Sequence, residues 1–253
     1  MSAGPGTFAY AQARLQARLG MRAAPSDLQR ARAARDLPAL LQLLRSMPQA
    51  RYVARLTPTT PMHELERRLR AEWCALVDEV AQWQPEGWRP ALHWLRWLPY
   101  LPVLQKLARG GRAPAWTRED PVVGRIVAAE PGTRSGAVET TPLQPLQEAL
   151  AAQGDITQAW LEQWHRLWPE PAEPGLDAIE RAVSGVDKLL RAAPATASTE
   201  ELAATLTRRL LGVFRRHPLS AATAVAYLGL EAIDLLTLRG AILARAAFSK
   251  VAA

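Results

Sequence analysis

Two carboxylates three positions apart, Glu231 and Asp234, lie inside the apolar run AVAYLGLEAIDLLTLRGAILARA (224–246). One helical turn apart, such a pair can divide acid and base roles. That chemistry needs a cleft with convergent polar groups, and the neighbours here are Leu, Ile and Ala. Other reactive patterns are incomplete. HELER at His63 has one histidine of a zinc-protease helix and lacks the second. One cysteine, Cys74, and four scattered histidines do not supply a structural zinc site. None of the three lysines follows a glycine, which excludes a phosphate-cradling P-loop, and neither G-x-G-x-x-G nor G-x-S-x-G occurs. The expectation is a protein without catalysis, cofactor, metal or small-molecule substrate.

The elements that would carry these residues read as helices throughout. No alternating strand and no Asn-Gly or Asp-Gly hairpin stands out. Thr7 is placed to cap a first helix running to about Arg22. Ser26 and Asp27 offer caps to a second helix, and Asp36 to a third, with Pro38 in its first turn. Thr60 and Pro61 open a long helix to about Gln82. Pro99 and Pro102 must break the apolar segment that follows. The stretch from Gly110 to Pro145 is rich in Pro, Gly and Thr and reads as mostly loop with one short helix. Asp155 caps a helix with the stripe Trp160, Trp164 and Trp168, Ser198 and Glu201 have capping-box spacing, and Pro218 begins the last helix. LERRL (65–69) and LTRRL (206–210) each precede an apolar helix ending in a basic residue and Gly, a faint internal repeat. The fold class is all-α: helical modules packed as a pseudo-repeated bundle or funnel-like body. Residues 1–110 form an N-terminal module, 111–197 a shortened, linker-rich middle, and 198–253 helices that pack back on the first one.

Composition narrows the partners. Of 253 residues, 49% are hydrophobic and 22% charged, enough for a real core. The +7 charge is carried almost wholly by arginine, as expected of a GC-rich genome. It concentrates between Tyr10 and Leu56, where Arg14, Arg18, Arg22, Arg30, Arg32, Arg35, Arg45, Arg51 and Arg55 face only Asp27 and Asp36. An acidic partner, anionic lipid or nucleic acid would suit that balance. Nucleic-acid binding calls for aromatics interleaved with basic residues along a groove. The tryptophans suit core and module-interface packing instead, since the stripe at 160, 164 and 168 has helical spacing, so no nucleic acid is expected. No secretory leader is visible at the N-terminus, and no run of about 18 uncharged residues reads as a membrane span. A single cysteine fits a reducing cytoplasm.

A helix apolar on all sides is buried, and a buried carboxylate needs a cation. Asp234 has Leu238 at i+4, and Arg239 is five positions on and poorly placed. The expected partners are Arg14 and Arg18, one turn apart on the first helix, clasping Glu231 or Asp234 and tying the chain ends together.

The order of segments resembles the C-subunit (d-subunit) family of V-type and A-type rotary ATPases. The family's opening Tyr and Ala-Arg correspond to Tyr10, Ala13 and Arg14 of YAQARLQARLG. Its Leu-rich second segment is similar to SDLQRARAARDLPALLQLLRSMPQARYVARL (26–56). Its last helix is similar to PLSAATAVAYLGLEAIDLLTLRGAI, with Pro218, Tyr227, Glu231, Asp234, Leu238 and Arg239 in place. Asp234 stands where the family usually has Glu, and Thr237 where it often has Asn. The resemblance implies a non-catalytic coupling subunit on the cytoplasmic face of the membrane. It would join the central-stalk subunit to the membrane rotor ring in proton or sodium transport, held peripherally through those partners. The alternative is a basic helical adaptor or nucleic-acid-binding protein.

Overall fold

The computed structural model describes residues 6–170, 176–191 and 197–249. Thr7 Oγ1 accepts the Tyr10 N–H at 3.2 Å and opens α1 (Phe8–Gly20), which stops two residues short of the expected Arg22. Helix α2 (Pro25–Ala33) starts earlier than the Ser26 and Asp27 caps imply. Asp27 sits inside its first turn and its carboxylate accepts from Ala24 N at 3.0 Å. Asp36 caps α3 (Leu37–Arg45) by accepting from Ala39 N, and α4 (Ala50–Val53) follows. The long α5 (Met62–Trp83) buries Leu65, Leu69, Trp73, Leu76 and Val80 on one side.

The two prolines act as expected. The segment splits into α6 (Arg89–Trp94), a 3₁₀ stretch over Leu95–Tyr100 containing Pro99, and α7 (Leu101–Ala108) with Pro102 in its first turn. The Gly110–Pro145 stretch departs from expectation. It is mainly short helical turns: a 3₁₀ turn at Ala115–Glu119, α8 (Val123–Ala128), and α9 (Arg134–Glu139), leading to α10 (Gln147–Ala151). Here Pro and Asp start helices. Pro114 and Pro131 precede or open 3₁₀ turns, and the buried Asp120 accepts both Val122 N and Val123 N to cap α8.

Asp155 caps α11 (Ile156–Arg166), accepting from Thr157 N at 2.8 Å. Trp160 and Trp164 of α11 are buried, and Trp94 stacks on Trp160 at 6.3 Å. Indole N–H groups lock the two helices: Trp94 Nε1 donates to Trp160 O and Trp164 Nε1 to Ala91 O. Trp160 and Trp164 of the stripe are core, and Trp168, just past the helix end, is half-buried against it. Helices α12 (Leu176–Arg191), α13 (Ala197–Arg216) and α14 (Ala221–Ser249) complete the chain. The Ser198 side chain, expected to cap α13, lies outside the described residues.

The helix expected from Pro218 starts at Ala221, after a turn in which Leu219 has φ 56°. A leucine there is strained, and the buried Gln12 of α1 holds the turn by accepting Leu219 N at 3.1 Å. Helix α14 then contacts α1, α2, α3, α5, α12 and α13. Its span Ala221–Ala247 is long and apolar enough to cross a membrane, but 83% of its most apolar window is buried against these neighbours. Each half of the faint repeat is a basic helix packed on an apolar partner, α5 on α6 and α13 on α14. The first partner is broken and the second runs unbroken. Among the described residues the protein is helical with no strand.

Candidate functional site: a polar seam along the last helix

The acids of α14 are met by residues from the first quarter of the chain. Asp234 is 2% exposed, and Arg22 grips it with both arms, Nε to Oδ2 at 2.8 Å and Nη2 to Oδ1 at 2.6 Å. Such a bidentate pair fixes orientation as well as charge. Glu231 accepts the Tyr52 hydroxyl at 2.6 Å. Arg239 spans Glu66 of α5, with Nε 2.8 Å from Oε2 and Nη2 on Oε1. Near the end of α14, Arg245 donates to Ala34 O at 2.8 Å and to Arg32 O. With the Gln12 contact at the turn before it, α14 is anchored by N-terminal residues from its entry to Arg245.

The expected clasp by Arg14 or Arg18 does not form; Arg22, beyond the end of α1, holds Asp234 instead. Arg14 lies over the rings of Tyr10 and Trp83 at 4.9 and 5.2 Å. Arg18 pairs with Glu79 at 2.5 Å, and Arg51 takes the other oxygen of Glu79 at 3.2 Å. Neither Arg14 nor Arg18 holds Glu231 or Asp234. Arg22 continues the same four-residue spacing, but it lies beyond the end of α1, where the chain has left the helix after Met21. From there its side chain reaches α14. Thr237 hydrogen-bonds within its own helix, to Ile233 O at 3.0 Å.

The electrostatics differ at the two ends of the seam. Burial pushes the Asp234 carboxyl up to about 6, against the opposing pull of Arg22, and the Glu231 charge adds to the rise. Burial likewise raises Glu66, but Arg239 and Arg70 outweigh it and hold that carboxyl below its ordinary value. Tyr52 and Tyr227 are raised by burial and then by Glu231, so both hydroxyls stay protonated, and that of Tyr52 donates to Glu231. Arg70 completes a triad. It bonds Glu66 from one turn away, and its guanidinium lies 3.7 Å from the centre of the Trp116 ring.

Glu66, Arg70, Arg22 and Tyr52 are seam residues that the sequence pattern does not single out. Glu66 and Arg70 have the i, i+4 acid-before-base spacing of a helical ion pair, which LERRLR displays openly. Its burial depends on α14. No model of a known protein family matches the sequence, and no curated protein matches it. Among the described residues, no cluster of three or more His, Cys, Asp or Glu side chains could hold a metal ion. The seam can lock helices together; its carboxylates are already engaged by donors.

Tyr52→Phe tests one anchor. The variant should lose about 1.5–3 kcal/mol in urea unfolding at pH 7, the range for a hydrogen bond to a charged group. The half-buried Glu231 keeps its position but loses the 2.6 Å donor. A change below about 0.5 kcal/mol would mean that water replaces the hydroxyl.

Proposed function

We propose that the protein is a non-catalytic coupling subunit of a V/A-type rotary ATPase, joining the central stalk to the membrane rotor ring at the cytoplasmic face. The observation that carries this reading is the seam itself. Tyr227, Glu231, Asp234 and Arg239, on which the resemblance at one end of the chain rests, adjoin Tyr52, Arg22 and Glu66 from the other end. A part that passes torque must not yield between its first and last elements. Polar anchors along a buried 29-residue helix supply that stiffness. Trp and Arg, both abundant here, are favoured at interface hot spots. The proposed partners are the central-stalk subunit and the rotor-ring protein, with membrane association through them.

Purification from native membranes in mild detergent tests the reading. The expected result is copurification with a membrane ring protein and a stalk subunit, and release by carbonate washing. Recovery free of both partners would overturn it. Nucleic-acid binding with a steep salt dependence would favour the basic adaptor instead.

A further inference from the structure

A cleft of about 240 Å³ opens between α5, the broken segment around Pro99 and Pro102, and α14. Its walls are apolar, with Leu69, Leu98, Val103 and Leu236 facing one another across the gap. The two prolines hold the broken segment in shape, so that wall is a stiff piece of backbone. The polar groups of the cleft are Glu66, Arg70 and Arg239, two guanidiniums against one carboxylate. Arg239 takes both Glu66 oxygens and Arg70 shares one of them. The Glu66 carboxylate already accepts three bonds, while donors remain unpaired. Arg70 Nε and Trp73 Nε1 are buried without an acceptor, and both residues line the cleft. Trp73 is only 1% exposed, so its N–H has no recourse to bulk water. A buried donor without a partner costs about 1–3 kcal/mol, and apolar walls left wet are unfavourable as well.

We propose that this cleft binds a small apolar monocarboxylate, with its hydrocarbon against the Leu, Val and Pro walls and its anionic head at Arg70 and Arg239. Two guanidiniums against one carboxylate leave the cleft net positive, and that charge asks for an anion. The site is smaller than the 300–1,000 Å³ of drug-sized pockets, which limits the occupant to a single ring or a chain of roughly eight carbons. An alkylammonium of the same length fits the walls but meets two guanidiniums. An alcohol fits but leaves the charge unanswered. The ligand is held without being transformed, and the inference does not rest on the coupling role proposed above.

The test titrates the full chain with sodium octanoate, following tryptophan fluorescence and heat, since Trp73 and Trp116 line the cleft. Octan-1-ol and octylammonium are the controls. Octanoate should saturate at one per chain and bind at least about tenfold tighter than either control. Arg239→Gln should weaken octanoate about tenfold or more and leave octanol unchanged. Because that variant also disturbs the Glu66 triad, Leu236→Trp serves as a second probe. It fills the cleft from its half-buried wall without replacing a charged group, and should abolish octanoate binding while the thermal unfolding transition remains cooperative. Absence of saturation in the millimolar range would overturn the proposal. So would equal affinity for the three probes, or undiminished octanoate binding by Leu236→Trp.

Discussion

Glu66→Ala is expected to destabilise the protein by about 3–5 kcal/mol at pH 7, the usual cost of removing one partner from a buried ion pair. The Glu66 and Arg70 side chains are 10% and 11% exposed. Arginine does not shed its proton at any ordinary pH. Removing the carboxylate leaves the buried Arg70 beside Arg239 with no anion between them, and the Arg70 guanidinium keeps only the residue-66 backbone oxygen and the Trp116 ring. Glu66→Gln should lose less, because the side-chain oxygen still accepts one bond. Arg30→Ala is the control. Arg30 is 66% exposed in its pair with Asp27, and its loss should leave the unfolding midpoint essentially unchanged. Since the folded state depresses the Glu66 pKa, its contribution is complete above the ordinary value of 4.5 and fades as pH falls through the depressed value. Urea unfolding of the three variants at pH 7, with the wild type also taken to low pH, measures all of this. Equal losses for Glu66→Ala and Arg30→Ala would mean that the triad is effectively solvated.

Arg22→Ala should cost a similar amount, about 3–5 kcal/mol at pH 7, and distinctly less at pH 5. The difference lies in the partner left behind. Asp234 can take up a proton, and burial has already pushed its carboxyl up to about 6. The folded pKa lies above the unfolded 3.8, so the Asp234 contribution is full below about pH 4 and declines as pH rises through 6. Over pH 4.5 to 7 the decline amounts to about 2 kcal/mol. Asp234→Asn should remove that slope, and the wild-type advantage over Asp234→Asn should shrink by the same amount across this interval. Arg14→Ala, which loses ring contacts and no ion pair, should cost about 1 kcal/mol. Identical pH profiles for wild type and Asp234→Asn would show that Asp234 titrates as though exposed.

Helix identity was legible because it is written locally. Thr7, Asp36 and Asp155 cap where a short side chain precedes an apolar period, and Pro99 and Pro102 break where a ring displaces an N–H. The Gly110–Pro145 stretch misled because proline signals a helix start as readily as a loop, and turns of five or six residues have too few apolar positions to show a period. The need for a cation opposite Asp234 was legible from burial and charge alone. Which arginine answers it was not. Arg14, Arg18 and Arg22 share one spacing, and the choice among them depends on how far α1 is displaced along α14, which the Gln12 contact at Leu219 fixes. Glu66 hid for the same reason. Its local partner Arg70 satisfies the pattern of an ordinary surface pair, and only the arrival of α14 makes it interior.

The seam also sets an order of events in the life of each molecule. Arg22 and Asp234 are 212 positions apart. At synthesis rates of about 5–20 residues per second, roughly 10–40 s pass between their additions to the chain. During that interval α1, α3 and α5 have yet to receive the helix that packs on them. The early helices must wait on the ribosome half-dressed, with apolar surface available to chaperones and to one another, until the last helix is made and threads along them.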